Sequence, residues 1–357
     1  MHGEDVVILF RNIKKSGIAL LLAVLVVVSF AFSGCGTAQE SSLPEVSSES
    51  EVSTPEESSG SSESEGSTPE ESSGSSESEV STPEESSGGS ESEPSEPEKD
   101  YAAQNIFVYD LAGGLLYSKG EMEAELFPAS ITKLAAALTA LEVADPQMVC
   151  TVGDELKLVA ADASIAYVRK GHELTVEMLI EAMLLPSGCD AAYVLAANVG
   201  RLLEPNAADA GQAVDAFIAE MNEWSERNGF VNTVWENPDG YHAEGHYSCL
   251  ADILKLGELS LESEIVMKYA STAYAKVTYA SGHINEWSNT NQLLQSASEH
   301  YNPYCVGLKT GTTGRAGACL LAAFEKDGKK SIVGVFGCEN SYDRFAVTNE
   351  LYEDFLK

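Results

Sequence analysis

Ser130 and Lys133 lie three positions apart at the start of an Ala- and Leu-rich run, KLAAALTALEVAD, that predicts a helix ended by Asp145-Pro146. A spacing of three places both side chains on one helix face. A hydroxyl beside an amine is the pairing of a nucleophile with its base. Serine attacks poorly until a neighbour takes its proton, and a lysine can be that neighbour only where burial or a second cation favours its neutral form. The backbone N–H of Ser130, at a helix start, is free to stabilise a developing oxyanion, and one such donor is worth about 3 kcal/mol of barrier.

Two distant runs supply the rest. Ser187-Gly188-Cys189 follows a predicted helix over 175–185 that stops at Pro186, and Lys309-Thr310-Gly311 opens a predicted strand. If that strand lies beside the first helix, Lys309 is the second cation and the N–H of Thr312 is a second oxyanion donor. Taken singly, a Ser-x-x-Lys match arises about once by chance in a chain of this length, and a loop with Ser and Gly is ordinary. Their order, and a Lys-Thr-Gly at a strand start, carry the inference. Neither a metal nor a cofactor is expected. His242 and His246 are four apart, but Gly240 and Gly245 oppose a helix there and the intervening residues are Ala-Glu-Gly. His246 is instead expected to order a loop. Cys150, Cys189, Cys249, Cys305, Cys319 and Cys338 include no C-x-x-C pair and are read mainly as buried free thiols.

With its flanking phrases, this set resembles the D-alanyl-D-alanine carboxypeptidase family of low-molecular-mass penicillin-binding proteins. The phrases are Leu174-Thr175-Val176-Glu177 leading to Met183-Leu184-Leu185-Pro186-Ser187-Gly188, with Asp190-Ala191-Ala192 after them. Asn237-Pro238-Asp239-Gly240, Asn289-Thr290-Asn291 and Gly307-Leu308-Lys309-Thr310-Gly311-Thr312-Thr313 with Ala316-Gly317 complete them. The resemblance covers nearly all of 101–357. It implies an α+β, β-lactamase/transpeptidase-like fold, with a five-stranded antiparallel sheet, flanking helices and an inserted helical subdomain. It implies Ser130 as the acylated nucleophile, Lys133 as its base and Ser187 as the proton relay to the leaving D-alanine. Lys309, Thr310, Gly311 and Thr312 would bind the terminal carboxylate and complete the oxyanion hole, with Arg315 available to attract that carboxylate. Peptidoglycan stem peptides are the implied substrate and β-lactams the implied inhibitors. Cys189 departs from the family pattern, which has Asn there. A thiol is a weaker hydrogen-bond partner than an amide in both directions.

Other elements fit this frame. Two strands, 105–111 and 115–118, join through Gly113-Gly114. Helical material follows over 210–228 and 250–269, then strands over 307–311, 318–324 and 331–337 linked by short turns, and a helix over 344–356. Strands at both ends of a helical middle predict one antiparallel sheet flanked by helices.

Ahead of this domain the composition changes. Arg11, Lys14 and Lys15 precede an apolar run over 17–32 and then Ser33-Gly34-Cys35. That is an export signal, and its end resembles a lipobox in which Cys35 takes the lipid; an uncleaved anchor helix is the other reading. Residues 36–100 are Ser-, Glu-, Pro- and Gly-rich with a fourteen-residue repeat beginning at Ser53, Ser67 and Ser81. They predict a disordered linker with a reach of about 45 Å. The division is thus 1–35, 36–100 and 101–357, on the outer face of a bacterial cytoplasmic membrane. The chain carries −35 overall, which excludes nucleic-acid binding through clustered cations. A β-lactamase is disfavoured because no E-x-x-L-N run follows Ser187. A penicillin-binding module that senses wall peptides without turnover draws support from Cys189 alone.

Overall fold

The computed structural model describes residues 99–357. The export segment, Cys35 and the linker therefore lie outside the described residues. Nine strands and seven α-helices follow in chain order. The first strands are β1 (Asn105–Asp110) and β2 (Gly114–Lys119), followed by α1 (Thr132–Val143). Then come β3 (Val149–Thr151), β4 (Glu173–Thr175), α2 (Val176–Leu184), α3 (Cys189–Leu203), α4 (Ala210–Arg227), α5 (Leu250–Glu262) and α6 (Glu264–Ala270). The chain ends with β5 (Tyr274–Thr278), β6 (Ile284–Ser288), β7 (Cys305–Thr313), β8 (Gly317–Lys326), β9 (Lys329–Cys338) and α7 (Asp343–Phe355).

The main sheet has the order β2-β1-β9-β8-β7, and every neighbouring pair is antiparallel. The family-like five-stranded sheet is therefore present. Period-two alternation sorts its side chains onto two faces. Leu320, Ala322 and Phe324 of β8, with Val333 and Val335 of β9, pack toward Phe345 and Leu351 of α7. Leu321 and Ala323 of β8, with Ile332 of β9, face the larger core that holds Leu134 of α1 and Ile253 and Leu256 of α5. Burial on both faces explains why β8 reads as an unbroken apolar run, ACLLAAF. Sheet formation at both termini agrees with the sequence expectation because the N-terminal hairpin joins β9 through β1.

Some elements differ from their sequence outlines. The helical stretch over 250–269 is two helices, since the Ser263 hydroxyl accepts from Val266 N–H at 3.3 Å and starts α6. The hairpin β5–β6 and the helix α3 were not apparent, the latter because its first residue follows Pro186-Ser187-Gly188 without a gap. Among the described residues no helix is long and apolar enough to cross a membrane.

Candidate active site

Ser130 sits in a 3-10 turn, Ala129–Ile131, that runs directly into α1. Ala129 adopts a positive φ of 48°, a conformation that costs an L-residue energy unless the surroundings impose it. They do so from three directions. The Gly240 backbone approaches so closely that a Cβ there would stand 1.9 Å from Ala129 O, and a Cβ on Gly311 would stand 3.0 Å from Ser130 N. Glycine at both positions thus lets a loop and an edge strand close on the turn that holds Ser130.

The third support is His246, 2% exposed. Its Nδ1 accepts from Glu236 N–H at 3.1 Å, which places the ring proton on Nε2. Nε2 then lies 2.8 Å from Thr132 Oγ1, whose own proton goes to Ala129 O at 2.8 Å. Burial pushes the His246 pKa down to about 4, with Asp239 opposing that shift. The imidazole is therefore neutral at pH 7 and braces the turn, as the sequence had led us to expect of a loop-ordering histidine.

Lys133 is fully buried and points back along its helix to Ser130. Its Nζ donates to Ser130 Oγ at 2.9 Å, to Asp239 O at 2.6 Å and to Cys189 Sγ at 3.3 Å. All three N–H groups are thus used on neutral acceptors. Ser130 Oγ also lies 3.4 Å from Asp239 O. The Cys189 thiol, pushed up to about 11 chiefly by burial, stays protonated and serves as a weak acceptor. Cys189 opens α3, and its N–H donates to Ser164 O at 2.8 Å. Ser187 lies just upstream, 6% exposed and with a positive φ of 62°.

Across from this pair runs β7, the free edge of the sheet. Lys309 is 1% exposed, and its Nζ donates to Thr310 O at 3.0 Å. Burial first, then the charges of Lys133 and Arg344, hold its pKa well below the usual lysine value. Thr310 Oγ1 lies 2.6 Å from Thr290 Oγ1. Thr312 Oγ1 donates to Gly311 O at 2.7 Å and accepts from Arg344 at 2.8 Å. Arg344 Nη1 also donates to Gly311 O at 2.9 Å, while its buried Nε has no protein partner. Neither Lys309 nor Arg344 forms an ion pair among the described residues.

Ser130, Cys189 and Thr312 line one cleft of about 270 Å³, bounded by Asp162, Tyr241 and His242. The structure thus gathers the predicted Ser130, Lys133, Cys189, Gly311 and Thr312, with Lys309 and Thr310 beside them. Arg315 stands apart: it is exposed and pairs with Glu244 at 3.8 Å rather than facing the cleft. Arg344 was not singled out from sequence, and Asp239 and Thr290 entered only within family-like phrases, with no role given. Asp239 acts through its backbone carbonyl, which no residue type announces, and Arg344 lies far along the chain on α7. No group of acidic, His and Cys residues able to hold a metal occurs among the described residues.

The chain is similar to several known proteins. DacF of Bacillus subtilis, a D-alanyl-D-alanine carboxypeptidase, is 28% identical over 246 residues, which is 68% of this chain and 58% of that protein. The crystal structure of the Streptomyces K15 DD-transpeptidase superposes with a TM-score of 0.64 at 27% identity, covering 71% of this chain and 97% of that one. Penicillin-binding protein D2 of Listeria monocytogenes, solved with ampicillin bound, gives 0.59 at 26% identity over 73% and 100%. Solved variants of the Streptomyces enzyme replace a serine and a cysteine two positions beyond it, the spacing of Ser187 and Cys189. Others replace a serine and an arginine spaced like Thr312 and Arg344. The chain spans little more than half the length of the curated relatives it matches. The family model described as D-alanyl-D-alanine carboxypeptidase matches residues 90–340, and the chain belongs to that family.

Proposed function

We propose that this protein is a serine-type D-alanyl-D-alanine carboxypeptidase that trims peptidoglycan stem peptides through an acyl-enzyme and is acylated by β-lactams. The observation that carries the reading is the 2.9 Å contact between Lys133 Nζ and Ser130 Oγ, facing a strand edge with two unpaired buried cations. A substrate ending in a carboxylate would place that group near Lys309, Thr310 and Arg344. Its scissile carbonyl would then lie at Ser130, with its oxygen toward the N–H groups of Ser130 and Thr312. To act as the base, Lys133 must first give up one of its three protons; its amine then takes the Ser130 proton as Oγ bonds to the carbonyl carbon. Ser187 passes a proton to the departing amine, so the peptide bond breaks as D-alanine leaves and an ester remains on Ser130. Water then cleaves the ester and restores the serine.

A second acceptor is supported by one observation. A relative of the same fold, with a cysteine two positions after a serine, is named a DD-transpeptidase. In this reading an amine instead of water takes the acyl group. For location, the basic stretch, apolar run and Ser33-Gly34-Cys35 support export and a lipid on Cys35. A Glu-rich linker would then hold the enzyme away from the membrane surface. Incubation with benzylpenicillin followed by peptide mass analysis tests the central step. The penicilloyl adduct is expected on Ser130 and absent from Ser130→Ala; an unmodified Ser130 in folded protein contradicts the reading.

A further inference from the structure

Across the cleft mouth, Tyr241 Oη donates to Asp162 Oδ1 at 2.9 Å. Both residues line the cleft that contains Ser130, yet they arrive from separate loops, 79 positions apart in the chain. Each loop is fixed to the catalytic machinery beneath it. On one side, the Tyr241 N–H donates to Asp239 Oδ1 at 3.1 Å, and its carbonyl accepts from Asn237 Nδ2 at 2.9 Å. The carbonyl of that same Asp239 holds Lys133. On the other side, Ser164 O accepts from Cys189 N–H, and Ala166 N–H donates to Asp190 Oδ1 at 2.7 Å. The two walls are therefore stiff where they meet the floor, and at the mouth the Tyr241–Asp162 contact joins them.

We infer that the Asp162–Tyr241 hydrogen bond is a strap across the cleft mouth that selects for narrow acyl donors, favouring linear peptides over branched or cross-linked ones. The inference rests on the acyl-transfer reading above. Tyr241 is 40% exposed and Asp162 is exposed, so water competes for the bond and a substrate can part it. A slender chain passes with the strap closed, whereas a wide one must break it and forgo that contact. Breaking one neutral-to-charged hydrogen bond corresponds to about a fivefold handicap at such an exposed site.

The test uses two acylating agents: benzylpenicillin, and a penicillin whose side chain carries a bulky fluorophore. Acylation rates of the full chain are compared for the unaltered protein, Asp162→Ala, Tyr241→Phe and the double variant. The bulky-to-small rate ratio is expected to rise about fivefold in each single variant and no further in the double variant. Ratios that stay constant while both agents label Ser130 overturn the strap. A ratio that changes in only one single variant also overturns it, because a shared bond must fail from either end. If neither agent labels Ser130 in the unaltered protein, the acyl-transfer reading itself fails and the strap with it.

Discussion

The two buried lysines beside the cleft, Lys133 and Lys309, are bonded very differently. Lys133 spends its three protons on Ser130 Oγ, Asp239 O and Cys189 Sγ. Lys309 makes one backbone contact, and neither it nor Arg344 meets a carboxylate among the described residues. A buried cation without a counter-charge costs stability, so the β7 side of the cleft is destabilised until an anion arrives. Lys133 on the α1 side likewise meets no carboxylate among the described residues, but its three donors are all bonded. On the proposed reading one side moves a proton and the other recognises a carboxylate.

Substitutions can break that contrast. Lys133→Ala should lower acylation by β-lactam and peptide alike by about three orders of magnitude, the scale of a lost general base; stopped-flow acylation measures it. A loss confined to peptide would contradict the assignment of Lys133 to proton transfer. Lys309→Met should lower peptide turnover about a hundredfold through loss of a charge-assisted bond of ~3 kcal/mol. Its melting temperature should hold or rise, because an unpaired buried charge has been removed. A clear fall in melting temperature would show that Lys309 is structural instead.

The third prediction concerns the brace behind the nucleophile. His246 in the folded protein titrates at about 4, below the ordinary value of 6.5, and is 2% exposed. Above pH 6.5 it is neutral in both folded and unfolded chains and imposes no pH dependence. As pH falls from 6.5 to 4 the unfolded chain takes up a proton that the folded one refuses. Stability is lost across that window, by about 3 kcal/mol. Urea unfolding of the parent and of His246→Gln at pH 7 and pH 4 isolates this contribution. Equal acid sensitivity of the two proteins would rule it out.

The smallest expected effect concerns Cys189. Its sulfur accepts from Lys133 at 3.3 Å, a weak bond that an Asn carbonyl can replace with a stronger one. Cys189→Asn should therefore alter acylation by less than about tenfold, or roughly 1 kcal/mol. A hundredfold change would mean that the thiol has a specific part in turnover.

Much of this site was legible before any coordinates. Ser130, Lys133 and Lys309 announce themselves because side-chain chemistry at fixed spacing leaves a written trace, and the elements carrying them follow from helix and strand periodicity. The contacts that complete the site left no such trace. The Asp239 carbonyl that holds Lys133 is backbone, the same in every residue type. Arg344 reaches Thr312 only because α7 packs against β8 and β9, a relation between segments distant in sequence. Arg315 shows the converse: a cation near the right motif in sequence, placed by the β7–β8 turn beside Glu244.

The most direct test of the whole account is D-alanine release from a pentapeptide ending in D-Ala-D-Ala, measured with the 99–357 domain and its Ser130→Ala variant. The account predicts steady release by the unaltered domain and none by the variant. Equal release from both, or none from a folded unaltered domain, would contradict the assignment of Ser130 as the nucleophile of a carboxypeptidase.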